Sequence, residues 1–500
     1  MAKEVFINRV IQEYSQATTD PEASANWERP ADLVMGVTQD GDSYRLPKPT
    51  MNNNEIWYLM GVNENGYNDI AFSCKIDGTT YSVDWWNDGS DIRVYNNNAV
   101  AEYNYDFNDS RLANIPVDDK GYKQVWIKIT PTDIENNLTG LNCQRKPSWR
   151  SNQSYVYHQV LEQYIKASEL TSLAHCGDNY IYPILDIFSL EENKISSLNY
   201  LLFCCYNLKK IENLDINNIN SLDYFMQSCY SYNQPFPDGV TFNNVISAFM
   251  QSCSSYNQPF PDGVTFDSVR DSFMANCNSY NQPFPDGVTF NNVTSNFMQN
   301  CSSYNQPFPN GVTFNNVTSQ FMNYCNSYNQ PFPDGVTFNN VTSYFMANCN
   351  SYNQPFPDGV TFNNVRSAFM QNCSSYNQPF PDGVTFNNVT NNFMSGCISY
   401  NQPLKITFKD NMTATGSDFF GWSPTCYMLE YLRLFNWQTV FKTLDLSYTS
   451  INAVALDILA GDAPDRTGLD TGTITIKRTP DALTYDTTLW TDKNYTVVVS

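Results

Sequence analysis

The stretch "SYNQPFPDGVTFDSVRDSFMANCN", Ser255–Asn278, is one unit of a run of near-identical units, and its length decides the fold. Its opening, "SYNQPFPDGVTF", starts at Ser231, Ser255, Ser279, Ser327, Ser351 and Ser375, with the variant "SYNQPFPNGVTF" at Ser303. The step is 24 residues, and Cys229, Cys253, Cys277, Cys301, Cys325, Cys349, Cys373 and Cys397 keep it too. That period is too long for a coiled coil and falls in the range of leucine-rich repeats. A unit this short cannot bury its apolar face alone, so neighbours must stack around one elongated core.

Within the unit, Val269, Phe273 and Cys277 fall at i, i+4 and i+8. This spacing predicts a short helix over "DSVRDSFMANC" with one face buried. Pro259 and Pro261 lack the amide hydrogen of a ladder, so a hydrogen-bonded strand is expected only around Tyr256 and Asn257, with a turn at Pro261, Asp262 and Gly263. Tyr256 and its equivalents are read as packing inward. The expected fold class is α+β/solenoid: a leucine-rich-repeat-type solenoid of 24-residue units with an N-terminal β-sandwich.

Units of the form "FMxxCxSYNQP…NNVTxxF" resemble the BspA-like leucine-rich repeats, in particular their Asn-rich, mycoplasma-type variant. The segment "CCYNLKKIENLDINNINSLDYFMQSC", Cys204–Cys229, is similar to the Leu-bearing form of that repeat. The resemblance covers roughly Leu201 to Leu404. It implies a solenoid used for surface display and binding, without enzyme activity.

Composition narrows the function. With 50 acidic against 28 basic residues the net charge is −22, which repels nucleic acid. The two histidines, His158 and His175, are too isolated for a metal or triad constellation. No phosphate loop, HExxH, GxSxG or CxxC occurs. No cofactor and no metal are expected. Equivalent cysteines in a stack would lie about 5 Å apart, within disulfide reach, yet their side chains point the same way. They are read as free, buried thiols. The Asp238, Asp262, Asp286, Asp334, Asp358 and Asp382 series is read as turn chemistry rather than a calcium ladder, because Asn310 holds the same place without a carboxylate.

The start, "MAKEVFINRVIQEYSQATTDPEAS", has no apolar h-region, and no stretch of the chain reads as a membrane span. A surface-display protein without a signal suggests a virion component, made in the host cytoplasm. "TTYSVDWWNDGS" from Thr79 alternates Tyr81, Val83 and Trp85 and closes on a turn at Trp86, Asn87, Asp88 and Gly89. "GYKQVWIKIT" alternates Val125, Ile127 and Ile129. Together they resemble a PKD or immunoglobulin-type sandwich, and that sandwich followed by BspA-like repeats resembles phage tail and virion-surface proteins.

The chain is therefore divided into an anchoring segment (1–50), a sandwich (51–134), irregular leucine-rich turns that cap the core (205 being the first regular residue, hence 135–204), regular repeats (205–404) and a closing cap (405–500). Units differ mainly before each Phe-Met pair, at Ala248, Ser272, Asn296, Gln320, Tyr344, Ala368 and Asn392, and three places on, at Gln251, Ala275, Gln299, Asn323, Ala347, Gln371 and Ser395. In helical projection both sets lie off the buried face and form candidate binding stripes. The expected partners are other virion proteins through the first 50 residues and a host-surface glycan or protein through the array, with homo-oligomerisation left open. The expected function is non-enzymatic adhesion from a virion surface or tail. A bacterial surface adhesin and a decorative, stabilising virion protein are the alternatives.

Overall fold

The computed structural model is mostly β-sheet with few helices. It describes residues 36–37 and 44–500 apart from 151–155, 176–180, 184, 215–218, 237–241, 243–244, 246, 265, 267–269, 289, 291–293, 313, 315–317, 337, 339–340, 361, 363–366, 383, 385–391, 408–429, 431, 436–442, 448 and 480–481. The expected anchoring role of the start falls largely outside the described residues.

The alternating stretches of the N-terminal region form strands. After the short pair β1 (Gly36–Val37) and β2 (Tyr44–Arg45) come β3 (Glu55–Asn63), β4 (Asp69–Ile76), β5 (Thr80–Asp84), β6 (Ile92–Asn96), β7 (Val100–Asn104), β8 (Tyr122–Pro131) and β9 (Leu138–Asn142). Then follow β10 (Val156–His158), β11 (Val160–Lys166), β12 (Ser172–Ala174), β13 (Ile181–Pro183), β14 (Ile187–Glu191) and β15 (Lys210–Glu212). Tyr81, Val83, Trp85, Val125, Ile127 and Ile129 are all buried, as their alternation predicts. The expected turn joins β5 to β6, with left-handed Asn87 (φ 52°) and Gly89 (φ 76°), and Asp84 accepts from the amides of Trp86 and Gly89.

Two sheets enclose this core. One has the order β15-β14-β11-β3-β8-β5-β6, the other β12-β9-β4-β7. Both are antiparallel at first and both become parallel as the chain moves on: β11 pairs β14 and β14 pairs β15, while β9 pairs β12. Each sheet thus has a parallel strand at one edge, and the amides of Tyr200, Leu202 and Cys204 donate to the carbonyls of Asp223, Phe225 and Gln227 to begin the inter-unit pairing. One hydrophobic core runs from Ile56 through every unit to Tyr495, without a break at the junction.

In the array, each side chain packs on its own counterpart one unit away. Tyr256 stacks on Tyr280 with ring centroids 5.9 Å apart, Phe260 on Phe284 at 6.0 Å, Phe266 on Phe290 at 5.6 Å and Phe273 on Phe297 at 5.5 Å. Tyr256 and its equivalents are buried as expected. Gly263 takes φ 75° in the Pro-Asp-Gly turn, a backbone state open to glycine at no steric cost.

Among the described residues of the units the expected helix is absent, and this corrects the α+β reading of the units. Ser272 (φ 56°) and Asn276 (φ 64°) are left-handed, which no α-helix contains. Instead of bonding within the turn, the amides of Ser272, Met274 and Asn276 donate to the carbonyls of Ser295, Phe297 and Gln299 in the next unit. The four-residue spacing of Phe273 and Cys277 comes from this folded ladder. Val269 lies outside the described residues, and its equivalents Val245 and Val341 are buried. The strand expected at Tyr256 and Asn257 is likewise replaced. Parallel bridges form at Phe242, Phe266 and Phe290 and at Ser247, Asp271 and Ser295.

Two side-chain ladders complete the backbone pairing. The amide of Asn281 donates to Asn257 Oδ1 (2.8 Å), that of Asn305 to Asn281 Oδ1 (2.9 Å), and the series continues to Asn401. Each thiol also donates backward: Cys277 Sγ to the Met250 carbonyl and Cys301 Sγ to that of Met274, both at 3.1 Å. The twelve described cysteines form no disulfide. Their column is a row of weak donors as well as small apolar groups.

Beyond the array, β16 (Leu404–Thr407) pairs β17 (Leu432–Phe435) and β18 (Thr443–Leu446) pairs β19 (Gly472–Ile476) and then β20 (Tyr495–Val499), all parallel. Helix α1 (Ala453–Asp462) starts at Asn452, whose side chain accepts from the Ala455 amide; α2 (Thr488–Thr491) buries Trp490.

Candidate binding face

The residues of the first stripe share one backbone geometry, repeated from unit to unit. Ala248, Ser272, Asn296, Gln320, Tyr344, Ala368 and Asn392 are all left-handed, with φ between 51° and 56°. The column extends backward to Tyr224 (φ 55°) and Tyr200 (φ 58°), which sequence comparison of the regular units missed. Their rings stack at 4.7 Å with an interplanar angle of 5°. Left-handed geometry turns these side chains away from the aromatic columns. Tyr344 is 42 % exposed, and Ser272, Asn296, Gln320 and Asn392 are half-buried.

Two members depart from the expectation that the column lies off the core: Ala248 and Ala368 are buried. The second stripe departs further. Gln251, Gln299 and Gln371 are half-buried, but Ala275, Asn323, Ala347 and Ser395 are buried. Helical projection fails here because there is no helix; these residues lie inside the inter-unit ladder. Gln371 remains the reachable member in its part of the stack.

Beside the first column runs a row of polar side chains tied to one another. The Asp223 amide donates to Asn199 Oδ1 (2.9 Å), the Ser247 amide to Asp223 Oδ1 (3.0 Å), and Ser367 and Ser343 share a hydroxyl contact at 3.0 Å. Followed toward the N-terminus, this row enters an open groove of about 700 Å³ on the outer side of the smaller sheet. The groove crosses β4, β9, β12 and residues 196–200. Register places Lys75 opposite Gly140 and Gly140 opposite Ser172. Outward residues of three strands thereby meet along the stacking direction. No sequence pattern announced the groove, because its residues come from irregular segments far apart in the chain.

Arg45 is enclosed by Asp118, Glu162 and Asp186, and Lys120 adds a second cation at 3.0 Å from Asp186. Burial raises the Glu162 carboxyl above its ordinary range despite the Arg45 charge. His158 lies between the carbonyls of Asp69 and Arg145, and His175 between the Leu201 carbonyl and the Gln163 side chain. Burial lowers both imidazoles, His175 to about 4. Both are interior groups whose two ring nitrogens each face an oxygen atom. Burial pushes the Cys277, Cys301 and Cys325 thiols the other way, Cys301 to about 12.

Among the described residues no cluster of His, Cys, Asp or Glu could hold a metal. The described turn carboxylates from Asp262 to Asp382 are exposed, and Asp238 lies outside the described residues. No described helix is long and apolar enough to cross a membrane. The described lining of the groove contains no Asp or Glu, so it lacks a carboxylate pair for hydrolysis. What the face offers is hydroxyls, amides and tyrosine rings in register. Comparison of the chain with protein-family models, curated proteins and solved structures finds no match.

Proposed function

We propose that the chain is a leucine-rich-repeat-type solenoid of BspA-like units on an N-terminal β-sandwich, and that it works as a non-enzymatic adhesin on a virion surface or tail. The observation that carries the reading is the continuous face just described, where the left-handed column from Tyr200 to Asn392 lies beside a row of polar side chains. A face that repeats one small contact many times suits weak multivalent attachment, since each contact after the first is intramolecular. The acidic charge of −22 disfavours nucleic acid as the partner. Anchoring is assigned to the first 50 residues.

The test is adsorption of particles to host cells. Gln320, Tyr344 and Gln371 are replaced together by alanine, which already holds the first column at 248 and 368 and so is compatible with its backbone. The expected result is slower adsorption at unchanged thermal stability, with most of the loss from Tyr344, the large exposed ring. Unchanged adsorption in the triple variant rejects the stripe. Unchanged adsorption without the whole array rejects the adhesin and leaves the decorative role. Display on a bacterial envelope instead of a particle would select the cell-surface alternative.

A further inference from the structure

We infer that the groove over Lys75, Gly140, Ser172 and Tyr200 binds an uncharged, linear glycan laid along the stacking direction. This rests on the adhesin reading and names its ligand class and site.

The floor is open because Gly140 has no side chain. A Cβ built there would stand 2.5 Å from Ser172 Oγ and 3.1 Å from Lys75 Cβ, so any other residue would fill the trough or push its walls apart. A glycine inside a strand marks a place where another molecule can approach the backbone closely. Gly140 is the central residue of β9, paired with Lys75 of β4 beside a register shift and with Ser172 of β12, and its φ is not left-handed, so its conformation does not require glycine.

The walls favour sugar over other polymers. Asn142, Gln144, Ser172 and Asn199 supply amides and a hydroxyl, and among the described lining residues Lys75 alone is charged. One cation on a chain of net charge −22 does not hold a polyanion, and a polycation would find no carboxylate in the lining. The floor is made of the outward faces of β4, β9 and the edge strand β12. Amides and hydroxyls match the donors and acceptors of sugar hydroxyls. The Tyr200 ring, held by stacking on Tyr224, gives a rigid amphipathic surface for the sugar's C–H side. Rungs at about 4.8 Å give a track on the order of 14 Å across β4, β9, β12 and residues 196–200, long enough for a short oligosaccharide. Beyond it, the row Asn199, Asp223 and Ser247 carries polar groups onward, so a longer polymer can continue over the units.

The probe is affinity electrophoresis of the full chain in gels containing dextran, mannan or galactomannan, against gels containing alginate or hyaluronate. Retardation by at least one of the neutral polysaccharides is expected. Two variants locate it: Tyr200→Ala, whose equivalent position is alanine at 248, and the pair Gly140→Ala with Ser172→Ala, which fills the floor and removes a hydroxyl. Each should weaken retardation roughly tenfold, the scale of a lost ring contact or hydrogen bond to ligand, while Tyr344→Ala changes it less. A thermal scan checks that both variants fold. Retardation by none of the neutral polysaccharides, by the acidic ones alone, or equally in all variants overturns the inference. The two readings fail separately. If polysaccharide binding depends on the groove but particles adsorb without the protein, the adhesin falls and the glycan site stands. If adsorption needs the protein but no neutral polysaccharide is retained, the glycan site falls and the adhesin stands.

Discussion

The N-terminal two-sheet region and the repeat array bury similar side chains by opposite means. In the two-sheet region buried polar groups find partners of differing kinds: Arg45 with Asp186, His158 with two carbonyls, Trp86 Nε1 with the Tyr103 hydroxyl at 3.0 Å. In the array, Asn281, Cys301 and Phe297 each find the same kind of partner one unit away. Unique pairing fixes one structure but tolerates little change. Column pairing is satisfied by any number of copies, and its cost falls on the ends. The two sheets answer that cost at one end by turning parallel before the units begin.

The comparison can be broken most severely by a cavity in a column. Phe297 stacks on Phe273 and Phe321 and is fully buried. Phe297→Ala should cost about 3–5 kcal/mol, as for other buried aromatics. Chemical denaturation monitored at two wavelengths would show whether the loss spreads to both neighbouring units. A loss below about 1 kcal/mol would mean that the columns do not pack tightly.

Titration separates the two regions next. His175 has a folded pKa of about 4, below its unfolded value near 6.5. The unfolded chain therefore binds the proton more readily, so stability is intact above 6.5 and falls by about 3 kcal/mol as the pH drops through 4. The lowered pKa of His158 acts in the same direction. The array responds to alkali. Cys301 and Cys373 are raised to about 12, so their stabilisation is complete below the ordinary thiol value and is lost as the pH rises from there toward 12. Tryptophan fluorescence should report acid unfolding, since the described tryptophans of the sheets surround the N-terminal core, and tyrosine absorbance should report alkaline unfolding. Loss of both signals together at acid pH would contradict the division.

A smaller effect tests the asparagine ladder. Asn281→Ala removes the acceptor of the Asn305 amide and should cost about 1–2 kcal/mol, the penalty of a hydrogen bond left unmade. Asn281→Asp keeps an acceptor and should recover most of it. Equal losses in the two variants would show that the ladder contributes through packing alone.

Much of this was legible in the sequence. The 24-residue step gave the stacking, the alternation at Tyr81 to Trp85 gave a strand, and the spacing of equivalent cysteines gave the thiol column. The unit's internal path was misread because Phe273 and Cys277 fit a helical face. The adjacent Phe273 and Met274, both fully buried, were the available warning, since neighbouring residues on a surface helix do not face the same core. The stripe was found where units could be compared and missed at Tyr200 and Tyr224, where they are irregular. The groove was illegible because Lys75, Gly140, Ser172 and Tyr200 meet only through sheet register.

The most direct measurement removes whole units. Deleting Ser255–Asn326 takes out three 24-residue steps and joins equivalent positions. Solution scattering of the full chain and the deletion variant, with thermal unfolding of both, reads the outcome. The expected result is a cooperatively folded protein whose maximum dimension is shorter by about 15 Å, at roughly 5 Å per removed unit. An aggregated or non-cooperative variant, or one of unchanged length, would contradict a stack of interchangeable units built on the N-terminal sheets.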